Sequence, residues 1–118
     1  MSWLNGFKYR KAHTLSSPSK PLIDCPVMLR IHYGSGFDFG EDVYLNGKCR
    51  KDFSDIRITD SDGITILAPK KDNCWIEKKN GVLMEIGFKV PYIPPKPKKT
   101  VIYVYYSKEN INTKREAQ

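Results

Sequence analysis

Thirteen acidic residues, two histidines and three cysteines are the side chains of this 118-residue sequence that could carry chemistry, and their spacing decides which chemistry. Nucleophilic catalysis needs a base oriented beside a serine or cysteine. The histidines, His13 and His32, fall on the polar faces of predicted strands, and the chain has no Gly-x-Ser-x-Gly elbow to present a serine. Glycoside hydrolysis needs two carboxyl groups roughly 5 to 10 Å apart in a cleft. Asp38, Glu41, Asp42, Asp55, Asp60 and Asp62 are available for such a pair, but turn formation accounts for most of these aspartates. The sequence points to a protein that is not an enzyme.

Calcium is the cation these acids would suit, because Asp38, Glu41 and Asp42 offer hard oxygen ligands in a glycine-rich segment. Asp60-Ser61-Asp62-Gly63 resembles part of an EF-hand loop but lacks its later ligands, and a hairpin turn explains it. The expectation is therefore no cofactor. Cys25, Cys49 and Cys74 are an odd set with no metal-binding spacing, so at most one internal disulfide can form. Reduced, partly buried thiols are expected, and which of Cys25 and Cys74 would pair with Cys49 is open.

The net charge of +7 would suit an acidic partner such as nucleic acid, an anionic envelope polymer or a lipid surface, although solvated strand faces explain it equally well. Lys70-Lys71, Lys78-Lys79 and the lysines from Lys96 to Lys99, with Tyr92, Tyr103, Tyr105 and Tyr106, combine charge with aromatics as single-strand binders do. No nucleic-acid signature accompanies them, so nucleic acid is not the expected partner. Trp75, Tyr103 and Tyr105, with Arg57 nearby in pattern, could present flat aromatic faces to sugar rings. Core packing would account for the same aromatics. No run of about 18 apolar residues is present, so no membrane span is expected. Met1-Ser2-Trp3-Leu4 leads directly into strand-like sequence without a secretory leader.

The elements that must position these groups read as strands. In Asp55 to Thr59, Ile56 and Ile58 point one way and Asp55, Arg57 and Thr59 the other. Asp60-Ser61-Asp62-Gly63 then turns the chain, and Ile64 and Ile66 resume the alternation, which predicts a β-hairpin. Phe7 to Leu15 predicts a first strand, with Phe7 and Tyr9 opposite Lys8 and Arg10. Pro26 marks the start of the next, in which Val27, Leu29, Ile31 and Tyr33 share a face. Gly34 to Phe53 reads as a long connection with one short strand around the Asn46-Gly47 turn, a length that is usually functional or self-packed.

Cys74 to Lys79 predicts a strand that turns at Asn80-Gly81 into a stripe of Val82, Met84, Ile86, Phe88 and Val90. Such a stripe needs a facing sheet. The prolines from Pro91 to Pro97 predict an extended loop. Thr100 to Ser107 is apolar on both faces, which predicts a central strand. One domain over 1–110, with a polar tail at 111–118, has room to bury roughly two-thirds of its unfolded surface. The fold class expected is all-β: an antiparallel β-sandwich, jelly-roll or immunoglobulin-like, of seven to eight short strands.

Residues spread along this frame resemble a known family. Trp3-Leu-Asn-Gly-Phe-Lys-Tyr-Arg-Lys, His32-Tyr-Gly-Ser-Gly, Gly40-Glu-Asp-Val-Tyr-Leu-Asn-Gly-Lys-Cys-Arg, Asp52-Phe-Ser-Asp-Ile-Arg-Ile-Thr-Asp-Ser-Asp-Gly, Trp75-Ile-Glu, Val90-Pro and Thr100-Val-Ile-Tyr-Val-Tyr-Tyr are similar to the family catalogued as domain of unknown function 2341. The resemblance covers Trp3 to about Asn110. That family's modules occur in bacterial, archaeal and viral surface proteins, often beside concanavalin-like lectin domains. The resemblance thus implies a β-sandwich accessory module at an exterior or particle surface, with glycan or envelope polymer as partner and no catalytic residues. Delivery within a longer precursor or by assembly is expected. The alternative is a structural subunit of a larger assembly, such as a virion coat, decoration or fibre protein.

Overall fold

The computed structural model describes residues 3–108, which fold without helix into eight strands. These are β1 (Phe7–Leu15), β2 (Leu22–His32), β3 (Asp42–Tyr44), β4 (Arg57–Thr59), β5 (Ile66–Ala68), β6 (Cys74–Lys79), β7 (Leu83–Ile93) and β8 (Thr100–Lys108). They form two four-stranded sheets, in the orders β1-β8-β4-β5 and β3-β2-β7-β6. The polar tail expected at 111–118 lies outside the described residues.

Period-two alternation puts one face of each long strand into a single core. The first sheet contributes Leu15, Ile58, Leu67, Ile102 and Val104. The second contributes Leu29, Ile31, Val43, Met84, Ile86, Phe88 and Val90, so the sheets pack face to face as a sandwich. Each such side chain contributes about 1.5–3 kcal/mol relative to solvent exposure. Strand β8 is central, hydrogen-bonded to β1 and β4, which is why both its faces are apolar.

The connection from 45 to 56 passes between the sheets and plugs one end of the core with Leu45, Cys49, Phe53 and Ile56. Its Asn46-Gly47 turn has positive φ at both residues, and the Lys48 N–H closes it on the Leu45 carbonyl at 3.0 Å. At the other predicted turn, the Asn80 side chain accepts the Val82 and Leu83 N–H groups.

Five expectations about the strands are corrected. Strand β3 runs parallel to β2, because residues 33–41 carry the chain back alongside before Asp42 enters the sheet beside Arg30. Strand β2 begins at Leu22 rather than Pro26, and β7 continues past Pro91 to Ile93, because Leu22 and Ile23 pair with Ile93 and Tyr92. Both prolines are tolerated where the ladder needs no donor: Pro26 lies beyond the reach of β3, and Pro91 faces Asp24, whose φ is 50°. The face of Asp55 and Thr59 is not solvent-facing, since both residues are buried with Ile56 and Ile58. Finally, Val82 lies outside the strand and is exposed, so the core stripe begins at Met84.

Candidate functional site

Strands β1 and β2 leave the same end of the sandwich on opposite sheets, and no ladder joins them. The gap between them is an open cleft of about 630 Å³, within the size range of small-ligand sites. Leu15, Val27 and Ile93 from the two inner faces form its apolar floor. Its rim is polar: His13 and Thr14 near the end of β1, Ser16 and Ser17 in the following loop, and Glu41 before β3. A shallower extension of about 210 Å³ continues past His13 and Thr14 to Asp38 and Phe39.

The rim is set by a pinned loop. The Asp38 carboxylate accepts both the Tyr44 N–H at 2.8 Å and the Lys11 ammonium at 3.0 Å. Lys11 also donates to the Tyr44 carbonyl. Gly36 lies on the Tyr44 ring so closely that a Cβ there would fall 2.7 Å from it, and the His32 ring stacks on Tyr44 at 4.1 Å. Asp42 is gripped by Arg30 through two hydrogen bonds, at 2.8 and 3.0 Å, and by His32 at 2.8 Å. Hydrogen bonds from Arg30 and then His32 hold the Asp42 carboxyl well below the usual carboxylate range. Glu41 accepts a third Arg30 hydrogen bond at 3.3 Å.

His13 shares the inner face of β1 with Leu15 rather than lying on a polar outer face, which corrects the expectation for it. Burial pushes its imidazole below the ordinary value against the opposing pull of Asp38. A neutral imidazole both donates and accepts. With the hydroxyls of Thr14 and Ser16 beside it, the Glu41 carboxylate on the rim and an apolar floor, the cleft combines hydrogen-bonding and apolar surface, while the Ser17 hydroxyl is taken up by the Lys98 carbonyl at 2.8 Å.

The residues whose oxygens would suit calcium, Asp38, Glu41 and Asp42, share one loop, but each is engaged by a cationic side chain. Among the described residues no group of three or more His, Cys, Asp or Glu side chains is placed to hold a metal ion. Asp62 is a turn residue: it accepts the Ile64 and Thr65 N–H groups and the Thr65 hydroxyl.

Three of the four residues expected to bind sugar come together on the outer face of the first sheet, and the fourth does not. Tyr103 and Tyr105 on β8 lie beside Arg57 on β4, joined there by Trp3, Phe7 and Arg10. The Arg10 guanidinium lies 4.4 Å from the Trp3 ring centre and 4.1 Å from that of Tyr103, and donates to the Tyr105 hydroxyl at 2.8 Å. That hydroxyl donates in turn to the Gly63 carbonyl at 2.7 Å. Tyr105 is fully buried and presents no ring face to a ligand. Arg57 is tied to the Ser54 and Ile56 carbonyls. The cluster is a small second core that fastens the hairpin between β4 and β5 to the sheet.

Trp75 lies on the other sheet, where its indole covers Gly87 of β7. All three cysteines are free thiols, Cys49 buried and Cys25 and Cys74 partly so. The cleft residues His13, Thr14, Ser16 and Ser17 carry no distinguishing spacing in the sequence; only the polarity of Ser16-Ser17-Pro18 hinted at a loop there. No family model, no curated protein and no solved structure matches this chain.

Proposed function

We propose that this protein is a non-enzymatic binding module, displayed at an exterior surface, that takes a neutral glycan in the cleft between β1 and β2. The observation that carries the reading is the cleft itself: an apolar floor under a rim of hydroxyls, the His13 imidazole and the Glu41 carboxylate, with Phe39 beside its extension. Sugars bury the apolar faces of their rings while hydrogen-bonding through their edges, and these two kinds of surface meet here. The family resemblance adds the same expectation. A glycan array followed by NMR titration tests it. Binding should disappear in Ser16→Trp, which blocks the exposed rim, and persist in Trp75→Ala, on the strand β6 at one edge of the second sheet and outside the cleft lining; a blank array across neutral and anionic glycans would sink the proposal.

A second reading, a structural subunit of a larger assembly, is favoured by Phe37 and Phe39, which are 93% and 82% exposed on one short loop. Large apolar side chains exposed together are a common mark of interaction surfaces. Solution mass across concentration tests it, and a strict monomer would count against it.

A further inference from the structure

We infer that the end of the sandwich formed by residues 16–23 and 91–99 docks on an anionic lipid surface. Two crossovers meet there: 16–21 leads from β1 to β2, and 94–99 leads from β7 to β8. They lie side by side, the Lys96 N–H donating to the Pro18 carbonyl at 2.9 Å and the Ser17 hydroxyl to the Lys98 carbonyl at 2.8 Å. Topology thus gathers Lys20, Lys96, Lys98 and Lys99 at one end, each of them exposed. Among the described residues no carboxylate pairs with any of them. Little acid opposes them: Asp24, beside Ile23, is the one acidic residue in 16–25 and 86–107, and Glu41 on the neighbouring cleft rim is held by Arg30.

The same end carries apolar side chains that the core does not take. Ile23 and Tyr92 face each other near the end of the β2–β7 ladder, 68% and 51% exposed, and Leu22 beside them is 38% exposed. An isoleucine and a tyrosine projecting among unpaired lysines suit the boundary between lipid head groups and acyl chains. Tyrosine is favoured there, and lysine stems lie along apolar surface while their ammonium groups reach the phosphates.

Other partners suit this surface less. Lysine is depleted from protein–protein interfaces, and a nucleic-acid strand would call for a row of open aromatic faces. The five prolines of the two crossovers carry no N–H, so fewer backbone donors lose water as the loops enter the interface.

Co-sedimentation of the full chain with vesicles tests this, with phosphatidylcholine alone set against an equal mixture of phosphatidylcholine and phosphatidylserine. The wild type should bind the mixed vesicles, bind phosphatidylcholine alone much more weakly, and be released by added salt. Lys96→Gln with Lys98→Gln should weaken binding to the mixed vesicles about 25-fold, at about fivefold per lysine near the surface. Ile23→Ser with Tyr92→Ser should weaken it roughly tenfold or more. Lys78→Gln with Lys79→Gln removes the same charge at the other end of β7 and should leave most of the binding in place. All six positions are exposed, so the fold should survive each pair of changes. No binding to the mixed vesicles overturns the inference, as does an equal loss in the Lys78 and Lys79 pair. If the lysines matter and Ile23 and Tyr92 do not, this end holds a soluble polyanion and the lipid surface is ruled out.

Discussion

The Asp55 carboxylate and the Ser107 N–H are hydrogen-bonded at 3.0 Å, so a buried acid in the connection before β4 holds the end of the last strand. The other oxygen of Asp55 accepts the Arg50 N–H, also at 3.0 Å, which fastens the plug of the core. Asp55 itself is 2% exposed. Asp55→Ala should lower the unfolding free energy by about 1–3 kcal/mol, the cost of taking the acceptor from two part-buried N–H groups. Asp55→Asn, which keeps one acceptor oxygen, should lose less. Urea denaturation followed by circular dichroism gives both values.

Gly87 and Trp75 should be energetically coupled. A Cβ at Gly87 would fall 2.3 Å from the indole, so Gly87→Ala must drive the ring off the sheet. The expected cost is about 1–3 kcal/mol, as for overpacking elsewhere. In a Trp75→Leu background the same substitution should cost clearly less, and a double-mutant cycle would report the difference. Equal costs in both backgrounds would mean that the ring is not what Gly87 accommodates.

Asp42 predicts an acid-sensitive contribution to stability. Its carboxyl titrates lower in the folded chain than in the unfolded one, because Arg30 and His32 hydrogen-bond the charged form. The stabilisation is therefore fully present above the ordinary carboxylate value of about 3.9 and is lost as pH falls through the lower folded value. The gap in melting temperature between wild type and Asp42→Asn should be widest near neutrality and close under strong acid. Because the Asp42 side chain is 25% exposed, added salt should narrow the gap as well.

Cys49 should be the last thiol to react. Burial, helped by the nearby Asp55 charge, pushes its pKa up to about 12, so almost none is thiolate at neutral pH. Brief alkylation of the native protein should modify Cys25 and Cys74 before Cys49, and urea should make all three equally reactive. Peptide mass spectrometry resolves the three sites, and early labelling of Cys49 in the native state would contradict its place in the core.

Removing the Tyr105 hydroxyl should loosen the hairpin between β4 and β5. Tyr105→Phe deletes the hydrogen bond to Gly63 and the acceptor for Arg10. A loss of about 0.5–3 kcal/mol is expected, with faster amide exchange at residues 60–65 than in the second sheet. Uniform exchange across both sheets would argue against this local role.

How far the sequence could be read differs from element to element. Phe7 to Leu15 and Cys74 to Lys79 were legible to the residue, because alternation and turn chemistry are local signals. The Asn46-Gly47 turn was legible because its backbone requires positive φ. Prolines misled at both ends of the β2–β7 ladder: a missing donor forbids a hydrogen bond at one position, but whether that position needs one depends on the neighbouring strand. The candidate site was the least legible. Trp75, Tyr103, Tyr105 and Arg57 were the sequence's candidates for one binding surface, yet Trp75 lies on the other sheet and Tyr105 is sealed beneath Trp3, Phe7 and Arg10, side chains that reach it from a separate segment.

By itself, then, the sequence determined the all-β class, the positions of most strands and the central place of β8, because side-chain alternation and apolar runs record whether a strand is buried on one face or both. Tertiary structure alone decided the parallel pairing of β3, the capture of Asp38, Glu41 and Asp42 by Lys11, Arg30 and His32, and the cleft where β1 and β2 part. Those features arise between segments far apart in the chain. The spacing of residues along one strand cannot report which strand, or which charge, will lie across the gap.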